Sequence, residues 1–328
     1  MIGISWDNIV SLADRLKEVS IPIDEFTNPK YYPPDSDPVE DVANYFFFMV
    51  SIDHRTRVKN TIFEGYVDGE YYYGTDLLYR LGIAKYNDDP KFFSPSNMVN
   101  IDEKTVIEWL SIREPKTCVI RDPSIRAILL SDAANKLLKF YNGSTLRLIS
   151  ESGGYLYTRD CSGFIDRLKI FKAYNDPVEK KSFLLAKFLE RRGMLRIKDK
   201  HNARLPIDNH LTRIAIRLGI VEPNKKILNY FLPDGEDVDA EIDAIIRLTI
   251  RHAYRLLCEA AKTDPFLLDD LLWLLGRKIC KYEKPLCDRN IPITDGLTGC
   301  PFRGVCSAHR DPDRRFLVEH SFIDTWWY

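Results

Sequence analysis

The sequence lacks any long hydrophobic run. Its longest uninterrupted apolar stretch is six residues, Tyr45 to Val50, whereas a membrane-spanning helix needs about 20 apolar residues. The first residues combine neither a basic start nor an apolar core, so we expect no signal peptide. Together these absences predict a cytoplasmic protein that has no membrane partner.

An excess of charge of either sign is also missing. The 328 residues include 47 Lys and Arg against 48 Asp and Glu, for a net charge of −1. Nucleic-acid binding would therefore need a local basic patch. Residues 159–217 hold 15 Lys and Arg against 7 Asp and Glu, a net charge of +8. Such a segment is either an ordinary solvated face or a strip that contacts a phosphate backbone.

Low-complexity segments and internal repeats are absent, and the composition of 45% hydrophobic and 29% charged residues is typical of a globular chain. Six Asp-Pro pairs mark helix starts, because Asp caps a helix and Pro suits its first position. A strand hairpin is predicted over 63–73, with Asp68-Gly69 as its turn. The sequence thus predicts a mostly α fold. The expected helices lie near 4–18, 38–56, 75–82, 103–112, 123–141, 161–173, 177–192, 207–218, 238–262 and 265–280.

Cysteine is scarce outside one segment. Of seven cysteines, four fall within 27 residues, and the other three are isolated and are given no function. The spacing is Cys280-x6-Cys287-x12-Cys300-x5-Cys306. In a chain without a secretion signal, such a cluster indicates a metal centre rather than disulfides. Four thiolates can hold a [4Fe–4S] cluster or a zinc ion, and the spacing alone does not choose between them.

The cysteine loop resembles that of the iron–sulfur branch of the helix-hairpin-helix DNA glycosylases, which includes endonuclease III and the adenine-mismatch glycosylases. Their loop follows C-x6-C-x2-C-x5-C, with Lys-Pro before the second cysteine, as at Lys284-Pro285, and Cys-Pro at the third, as at Cys300-Pro301. Here the middle spacing is twelve residues instead of two. The resemblance implies a structural [4Fe–4S] cluster, with zinc as the alternative, and ten extra residues that bulge from the loop.

A second segment, 205–219, resembles the catalytic-aspartate segment of the same superfamily. Asp208, His210, Arg213 and Arg217 fall in register with it. The resemblance implies that Asp208 stabilises positive charge on the sugar or activates the attacking group as an N-glycosidic bond breaks. It also implies that the other three residues bind substrate or DNA. Judged without the family, Asp208 would be a helix N-cap and the two arginines an exposed i,i+4 face.

Residues 176–187 occupy the place of the family's hairpin, whose usual sequence is Leu-Pro-Gly-Val-Gly-x-Lys-Thr-Ala. Lys181-Ser182 matches its Lys-Thr pair, which implies that Lys181 is a Schiff-base lysine, with Lys180 as the fallback. Both hairpin glycines are replaced, the second by Glu179; archaeal 8-oxoguanine glycosylases also lack an ordinary glycine hairpin. A Schiff-base lysine must be neutral when it attacks and so needs burial or a nearby base. The alternative is a solvated lysine near a helix start.

The N-terminal half has a fainter resemblance. The segment 42–48 is followed by the predicted hairpin 63–73 and then by 74–78. This order resembles, over about residues 42–114, that of the queuosine salvage proteins, which are nucleoside hydrolases of a related helical fold. Aromatic residues are dense in 63–79, and they either form core or line a base pocket. Asp53 and His54, at the end of the helix predicted over 38–56, are candidate pocket residues.

The sequence therefore predicts an all-α (mostly) protein with a two-lobed helix-hairpin-helix glycosylase-like fold, a small β-hairpin and a C-terminal four-cysteine cluster loop. Lys181 and Asp208 are expected on opposite sides of an interlobe cleft. The predicted function is a DNA N-glycosylase, with or without AP-lyase activity, that acts as a monomer on damaged double-stranded DNA. The alternatives are a nucleoside hydrolase of the salvage type and a non-catalytic lesion-binding module. The predicted segments are an N-terminal helix region 1–37, a barrel lobe 38–200 that includes the hairpin-like segment 172–190, and an aspartate-and-cluster lobe 201–328.

Overall fold

The computed structural model describes residues 2–58 and 61–328. It is 50% helical and 9% strand, so the prediction of a mostly α fold is confirmed. In the described residues the α-helices are α1 (Trp6–Leu16), α2 (Val39–Ser51), α3 (Thr75–Asp88), α4 (Pro95–Met98), α5 (Glu103–Trp109), α6 (Pro123–Tyr141), α7 (Thr145–Ser150), α8 (Phe164–Leu168), α9 (Lys180–Arg191), α10 (Asn209–Leu218), α11 (Lys225–Asn229), α12 (Ala240–Ala261), α13 (Pro265–Lys278) and α14 (Ser307–Arg310).

The strands are short and form two-stranded antiparallel sheets. The predicted hairpin is confirmed, since β4 and β5 pair around the Asp68-Gly69 turn. In the described residues the strands are β1 (Ile2–Ile4), β2 (Arg57–Val58), β3 (Thr61–Ile62), β4 (Glu64–Val67), β5 (Glu70–Tyr73), β6 (Ser111–Ile112), β7 (Cys118–Val119), β8 (Val221–Pro223), β9 (Pro292–Thr294) and β10 (Leu297–Thr298). Across the same residues, none of the helices combines the length and the apolar character needed to span a bilayer.

The chain divides into two compact units. Unit 1 combines Met1–Ile23 with Ala203–Thr325, and unit 2 combines Asp24–Asn202 with Trp326–Tyr328. The division places residues 24–37 with the segment predicted as the barrel lobe, and it places the N-terminal helix with the cysteine loop.

Unit 1 is organised around the long helix α12. Helices α1, α10 and α13 pack against it, and β1 pairs with β8. The α13 helix begins where the Asp264 carboxylate accepts hydrogen bonds from the backbone N–H groups of Phe266 and Leu267. It ends at Lys278, two residues before Cys280, the first cysteine of the loop.

Unit 2 is built around α2, whose residues 41–51 are all buried. A helix that is covered on every side must lie inside its domain, and α2 contacts α3, α6, α7 and α9. Burial of each large apolar side chain stabilises the fold by about 2 kcal/mol. The central position of α2 brings the residues at its C-terminal end into the interior of the unit.

Several helix ends differ from the prediction: α3 extends to Asp88, and α8 covers only Phe164–Leu168 of the predicted 161–173. Two further differences matter for the site. Helix α2 ends at Ser51 rather than near residue 56, so Asp53 and His54 lie in the turn that follows it. Helix α9 begins at Lys180 rather than 177, because the Asp176 carboxylate accepts from the backbone N–H groups of Val178 and Lys180. These bonds hold the chain in a turn before the helix begins.

Candidate functional site

Four of the predicted site residues meet inside unit 2. Asp53 and His54 follow α2, Lys180 and Lys181 open α9, and these two helices pack on each other. All four side chains are buried. We call these four residues the lysine cluster. The solvated-lysine interpretation of Lys181 is wrong, since its exposure is 0%.

The two lysines have different partners. Lys181 Nζ donates a hydrogen bond of 2.6 Å to the carbonyl oxygen of Ser51 and lies 3.2 Å from Nδ1 of His54. Lys180 Nζ lies 3.2 Å from the carbonyl oxygen of Asp53 and 3.4 Å from its Oδ2, as a buried ion pair. The cluster therefore contains one charge-compensated lysine and one lysine that contacts a neutral carbonyl and an imidazole.

The surroundings favour the neutral forms of Lys181 and His54. Burial holds the pKa of Lys181 well below its usual value, and the positive charges of Lys180 and Arg126 act in the same direction. Burial also holds the pKa of His54 well below its ordinary value, with Arg126 and then Lys181 adding to the effect. The N-terminal end of a helix further disfavours a cation at Lys181. A neutral amine beside a neutral imidazole is chemically competent for nucleophilic attack.

Arg126 is a buried residue of the site that the sequence analysis missed. Its guanidinium donates to the carbonyl oxygens of Ile52 and His54, the latter at 2.5 Å, and to that of Arg121 at 2.9 Å. Burial lowers its pKa to about 9. These bonds hold the turn that carries Asp53 and His54. The feature of the sequence that points to its burial is its place as an arginine within an otherwise apolar stretch of α6.

The aromatic residues near this cluster are mainly core. Tyr79 packs against Tyr32 and Phe188 with ring centroids 5.8 and 5.9 Å apart. The Tyr79 hydroxyl is buried and has no hydrogen-bond partner in the part of the chain that the structure describes. Burial, followed by the negative charge of Asp53, raises its pKa. In contrast, the hairpin residues Tyr66 and Tyr71 are exposed, so the predicted aromatic region divides between core and surface.

Asp208 lies in unit 1, at the start of α10. Its Oδ1 accepts a hydrogen bond of 2.9 Å from the backbone N–H of Leu211, as an N-cap does. The carbonyl oxygen of the preceding residue, Ile207, accepts a bond of 3.2 Å from Arg247. Arg247 is itself paired with the buried Asp243, which also contacts His320 at 2.8 Å. Asp208 thus has the N-cap role expected from the residues alone and sits beside a buried charged network.

Arg213 and Arg217 are not on an exposed face. Their exposed fractions are 3% and 1%, so the expected solvated i,i+4 face is wrong. Arg213 pairs with Glu319, and Arg217 donates to the carbonyl oxygens of Lys281 at 2.6 Å and Leu317 at 2.7 Å. Arg217 also donates to the carbonyl oxygen of Tyr282, at 2.9 Å. These contacts indicate that the arginines support the cysteine loop rather than contact phosphates.

His210 lies against the helix that leads to the same loop. A methyl group added at Gly276 of α13 would lie only 1.8 Å from His210 Nε2, so the close packing of α10 on α13 requires a glycine at that position. The other ring nitrogen, Nδ1, lies 3.2 Å from Arg213. Desolvation holds the pKa of His210 well below its ordinary value, and the neighbouring arginines act in the same direction.

The four clustered cysteines line one apolar pocket. Burial raises the pKa values of Cys287, Cys300 and Cys306, the last to about 12. Arg217 Nη1 lies 3.5 Å from Cys280 Sγ. In residues 2–58 and 61–328, no three His, Cys, Asp or Glu side chains form a group that could hold a metal ion.

The pocket nevertheless has the donor type that an iron–sulfur cluster or a zinc ion takes. Within the described residues it offers four sulfur donors in an otherwise apolar lining, and the charged residue of that lining, Arg217, would offset the negative charge of bound thiolates. The extra residues of the loop do not bulge freely. Strands β9 and β10 pair within them, Ile293 is buried, and Lys278 donates to its carbonyl oxygen at 2.6 Å.

The basic segment 159–217 does not form one continuous surface. Lys180, Lys181, Lys187, Arg213 and Arg217 are all buried, so about a third of its positive side chains are inside the protein. The positive side chains of this segment that remain exposed are Arg159, Lys169, Lys172, Arg196, Lys198 and Lys200.

Comparisons with known proteins do not assign this chain to a family. A scan against protein-family models finds no match, and a search of curated proteins finds no matching relative. The chemistry of the site therefore rests on its own geometry.

Proposed function

We propose that this chain is a DNA N-glycosylase with AP-lyase activity, in which Lys181 is the nucleophile. The observation that carries the proposal is the contact set of Lys181 Nζ, which is buried and bonded to the Ser51 carbonyl beside His54. An ordinary lysine is protonated and cannot attack, whereas burial and the adjacent cations lower the pKa of this one.

In this proposal the Lys181 amine attacks C1′ of the target nucleotide, and the base leaves with the electrons of the glycosidic bond. Ring opening then gives a Schiff base, which permits strand cleavage. Asp53, paired with Lys180, supplies a fixed negative charge near the developing sugar cation. Asp208, whose Oδ1 caps the start of α10, remains the second candidate for that role.

The proposed fold is the two-lobed helix-hairpin-helix glycosylase type, with units 1 and 2 as its lobes. The proposed cofactor is a [4Fe–4S] cluster held by the thiolates of Cys280, Cys287, Cys300 and Cys306. Its role would be structural, since a bound cluster would fix the loop that Arg217 also supports. Damaged duplex DNA is the proposed partner of a monomeric protein, and the exposed lysines and arginines of 159–217 would contact its phosphates.

A nucleoside hydrolase is the second candidate. Asp53 and His54 favour it, because both come from the region that resembles the salvage proteins and both lie in the buried cluster. A carboxylate that activates water would then replace the amine as the reacting group. Such an enzyme would act on a free nucleoside, and its activity would depend little on salt because no phosphate backbone is bound.

Mass-spectrometric detection of free base tests the two candidates. Anaerobically purified protein is mixed with duplexes that carry 8-oxoguanine, uracil, hypoxanthine or thymine glycol, and separately with the corresponding nucleosides. We expect base release from at least one duplex, weakening steeply as salt rises, and a loss of release in Lys181→Gln. The matched control is Lys104→Gln, at an exposed lysine of α5. Release from nucleosides alone would establish the hydrolase instead, and release from neither would refute both activities on these substrates.

A further inference from the structure

His54 has two features that a packing residue does not need. Its Nδ1 lies 3.2 Å from the Lys181 amine. Its Nε2 is buried and has no hydrogen-bond partner within residues 2–58 and 61–328. A buried polar atom without a partner costs about 1–3 kcal/mol, so its persistence calls for an explanation such as a bond formed only with substrate.

We propose that His54 relays a proton from the attacking amine of Lys181 to the departing base, with Nδ1 as the acceptor and Nε2–H as the donor. The inference rests on the proposed function and adds a catalytic residue to it. It explains why one ring nitrogen contacts Lys181 while the other has no hydrogen-bond partner among the residues that the structure describes.

The relay balances in atoms and charge. The bond from Lys181 Nζ to C1′ forms as the bond from C1′ to the base nitrogen breaks, and the electron pair of the broken bond goes to the base. The amine loses one proton to Nδ1 of His54. The Nε2 proton passes to the base, which leaves neutral, and His54 ends as its other neutral tautomer. No oxidant, metal or external acid is consumed.

The turn that carries His54 is fixed, which a relay requires. Arg126 donates to the His54 carbonyl oxygen at 2.5 Å, and the backbone N–H of His54 donates to Ile52 at 3.0 Å. Of the charged groups around the ring, the cations disfavour an imidazolium and so keep the ring in its neutral forms. The charged groups that face His54 or its partner amine are Arg55 and Asp53 from its own turn, Arg126 from α6, Lys180 and Lys181 from α9, and Asp176 from the turn before α9.

The tautomer of the resting protein is the first test. The protein is labelled with ¹⁵N-histidine, and His54 is assigned as the signal missing from His54→Asn. The relay requires a neutral ring with the proton on Nε2. A proton on Nδ1, or a doubly protonated ring, at neutral pH would overturn it. This measurement needs no DNA and no folded variant beyond the one used for assignment.

The second test compares two substrates, and it separates a relay from a purely structural role. Base release is timed on the lesion duplex that the wild-type protein cleaves, and borohydride trapping is timed on the same duplex carrying an abasic site. Without His54 the departing base lacks its proton donor, whereas an abasic site has no base to lose. We expect His54→Asn and His54→Gln to slow base release about 100-fold. The same variants should slow trapping by no more than about tenfold.

Three outcomes distinguish the claims. Equal slowing of both reactions, or no slowing, in folded variants would overturn the relay while the glycosylase proposal stands. If the wild-type protein traps no abasic DNA and releases no base, the glycosylase proposal fails and the relay fails with it. The matched control, His252→Asn, removes an exposed histidine of α12 and should leave both rates unchanged.

Discussion

Lys180 Nζ lies 3.4 Å from Oδ2 of Asp53, and each of the two side chains is only 7% exposed. The adjacent Lys181 contacts the Ser51 carbonyl instead. One carboxylate therefore directly compensates one of two neighbouring buried amines. Burial disfavours the charged form of the other amine, that of Lys181, which therefore loses its proton more readily. A neutral amine is the nucleophilic form, so Lys181 is the more nucleophilic of the pair.

Breaking the pair should destabilise the protein strongly. Asp53→Asn leaves the Lys180 ammonium buried without its partner charge. Lys180→Met likewise leaves the Asp53 carboxylate buried without its partner charge. Each single variant should lose about 3–5 kcal/mol of unfolding free energy, and the double variant should lose much less than the sum. Urea denaturation of the three variants measures this coupling.

The control for that cycle is the exposed pair of Lys30 and Glu70. Glu70→Gln should change stability little, because water screens an exposed ion pair. Additive losses at Asp53 and Lys180 would mean that the two side chains do not interact energetically, contrary to the ion pair described above.

The stability of the protein should depend on the protonation of His54. Because the folded-state pKa lies below the unfolded value of 6.5, the unfolded chain binds a proton first as the pH falls. The wild-type protein should therefore lose up to about 1.4 kcal/mol per pH unit from this histidine below pH 6.5. When the free energy of unfolding is measured from pH 7.5 to 5, His54→Asn should lose stability less steeply than the wild-type protein.

His210 also has a lowered folded-state pKa, so it too causes a loss of stability at low pH, and it is still present in His54→Asn. The loss of stability on acidification should therefore be smaller in that variant than in the wild-type protein, but not absent. His252→Asn, at an exposed site, should reproduce the wild-type curve. Superimposable curves for His54→Asn and wild type would show that the ring takes up its proton equally well in the folded and unfolded chains.

Glu179 occupies a backbone conformation that favours glycine. Its φ is +59°, immediately before α9, and its carboxylate accepts a hydrogen bond of 2.6 Å from Tyr157 and pairs with Lys169 at 3.2 Å. Glu179→Gly and Glu179→Ala both lose these contacts, but only glycine removes the steric cost. The glycine variant should be more stable than the alanine variant by about 1 kcal/mol in thermal or urea unfolding.

The same pair of substitutions at Glu190, within α9, should give the opposite order, because alanine stabilises a helix relative to glycine. If alanine were also the better residue at position 179, the left-handed conformation assigned there would be wrong.

Arg217 should be required for cofactor retention. Arg217→Lys keeps the positive charge but cannot donate to the carbonyl oxygens of Lys281, Tyr282 and Leu317 at once. We expect the anaerobically purified variant to hold its iron about tenfold or more weakly during dialysis against a chelator. Iron and acid-labile sulfide per chain are the quantities to measure.

Arg303→Lys is the matched control, since Arg303 lies between the last two cysteines and its side chain is 52% exposed. It should retain iron as the wild-type protein does. Equal retention in both variants would contradict the supporting role of Arg217, and zinc in place of iron and sulfide in the wild-type protein would refute the proposed cluster.

Local rules predicted most of the helices. The helix at 123–141 matches α6 at both ends, and Asp264 caps α13 as the Asp-Pro signal indicates. The short helices α4, α7, α11 and α14 were missed because four to six residues are too few to show a periodic pattern. The Asp176-Pro177 signal predicts the start of α9 three residues early, because the Asp176 side chain bonds within a turn instead of a helix.

The candidate site was predicted residue by residue but not as an assembly. Lys180, Lys181, Asp53 and His54 were each identified, yet about 127 positions separate the two pairs, and only tertiary packing of α2 on α9 joins them. Arg126 was not found, because a buried arginine bonded to carbonyl oxygens resembles a surface arginine in sequence. The predicted DNA-binding role of Arg213 and Arg217 rests on the family resemblance, whereas both side chains are buried and donate to carbonyl oxygens of the cysteine loop.

Covalent capture of Lys181 directly tests whether this residue is the nucleophile. The wild-type protein is incubated with an abasic-site duplex and borohydride, which reduces a Schiff base to a stable amine, and the adduct is located by peptide mass spectrometry. An adduct should form on Lys181, and none should form in Lys181→Gln. Base release without any adduct, or an adduct on a different lysine, would contradict the assignment of Lys181 as the nucleophile.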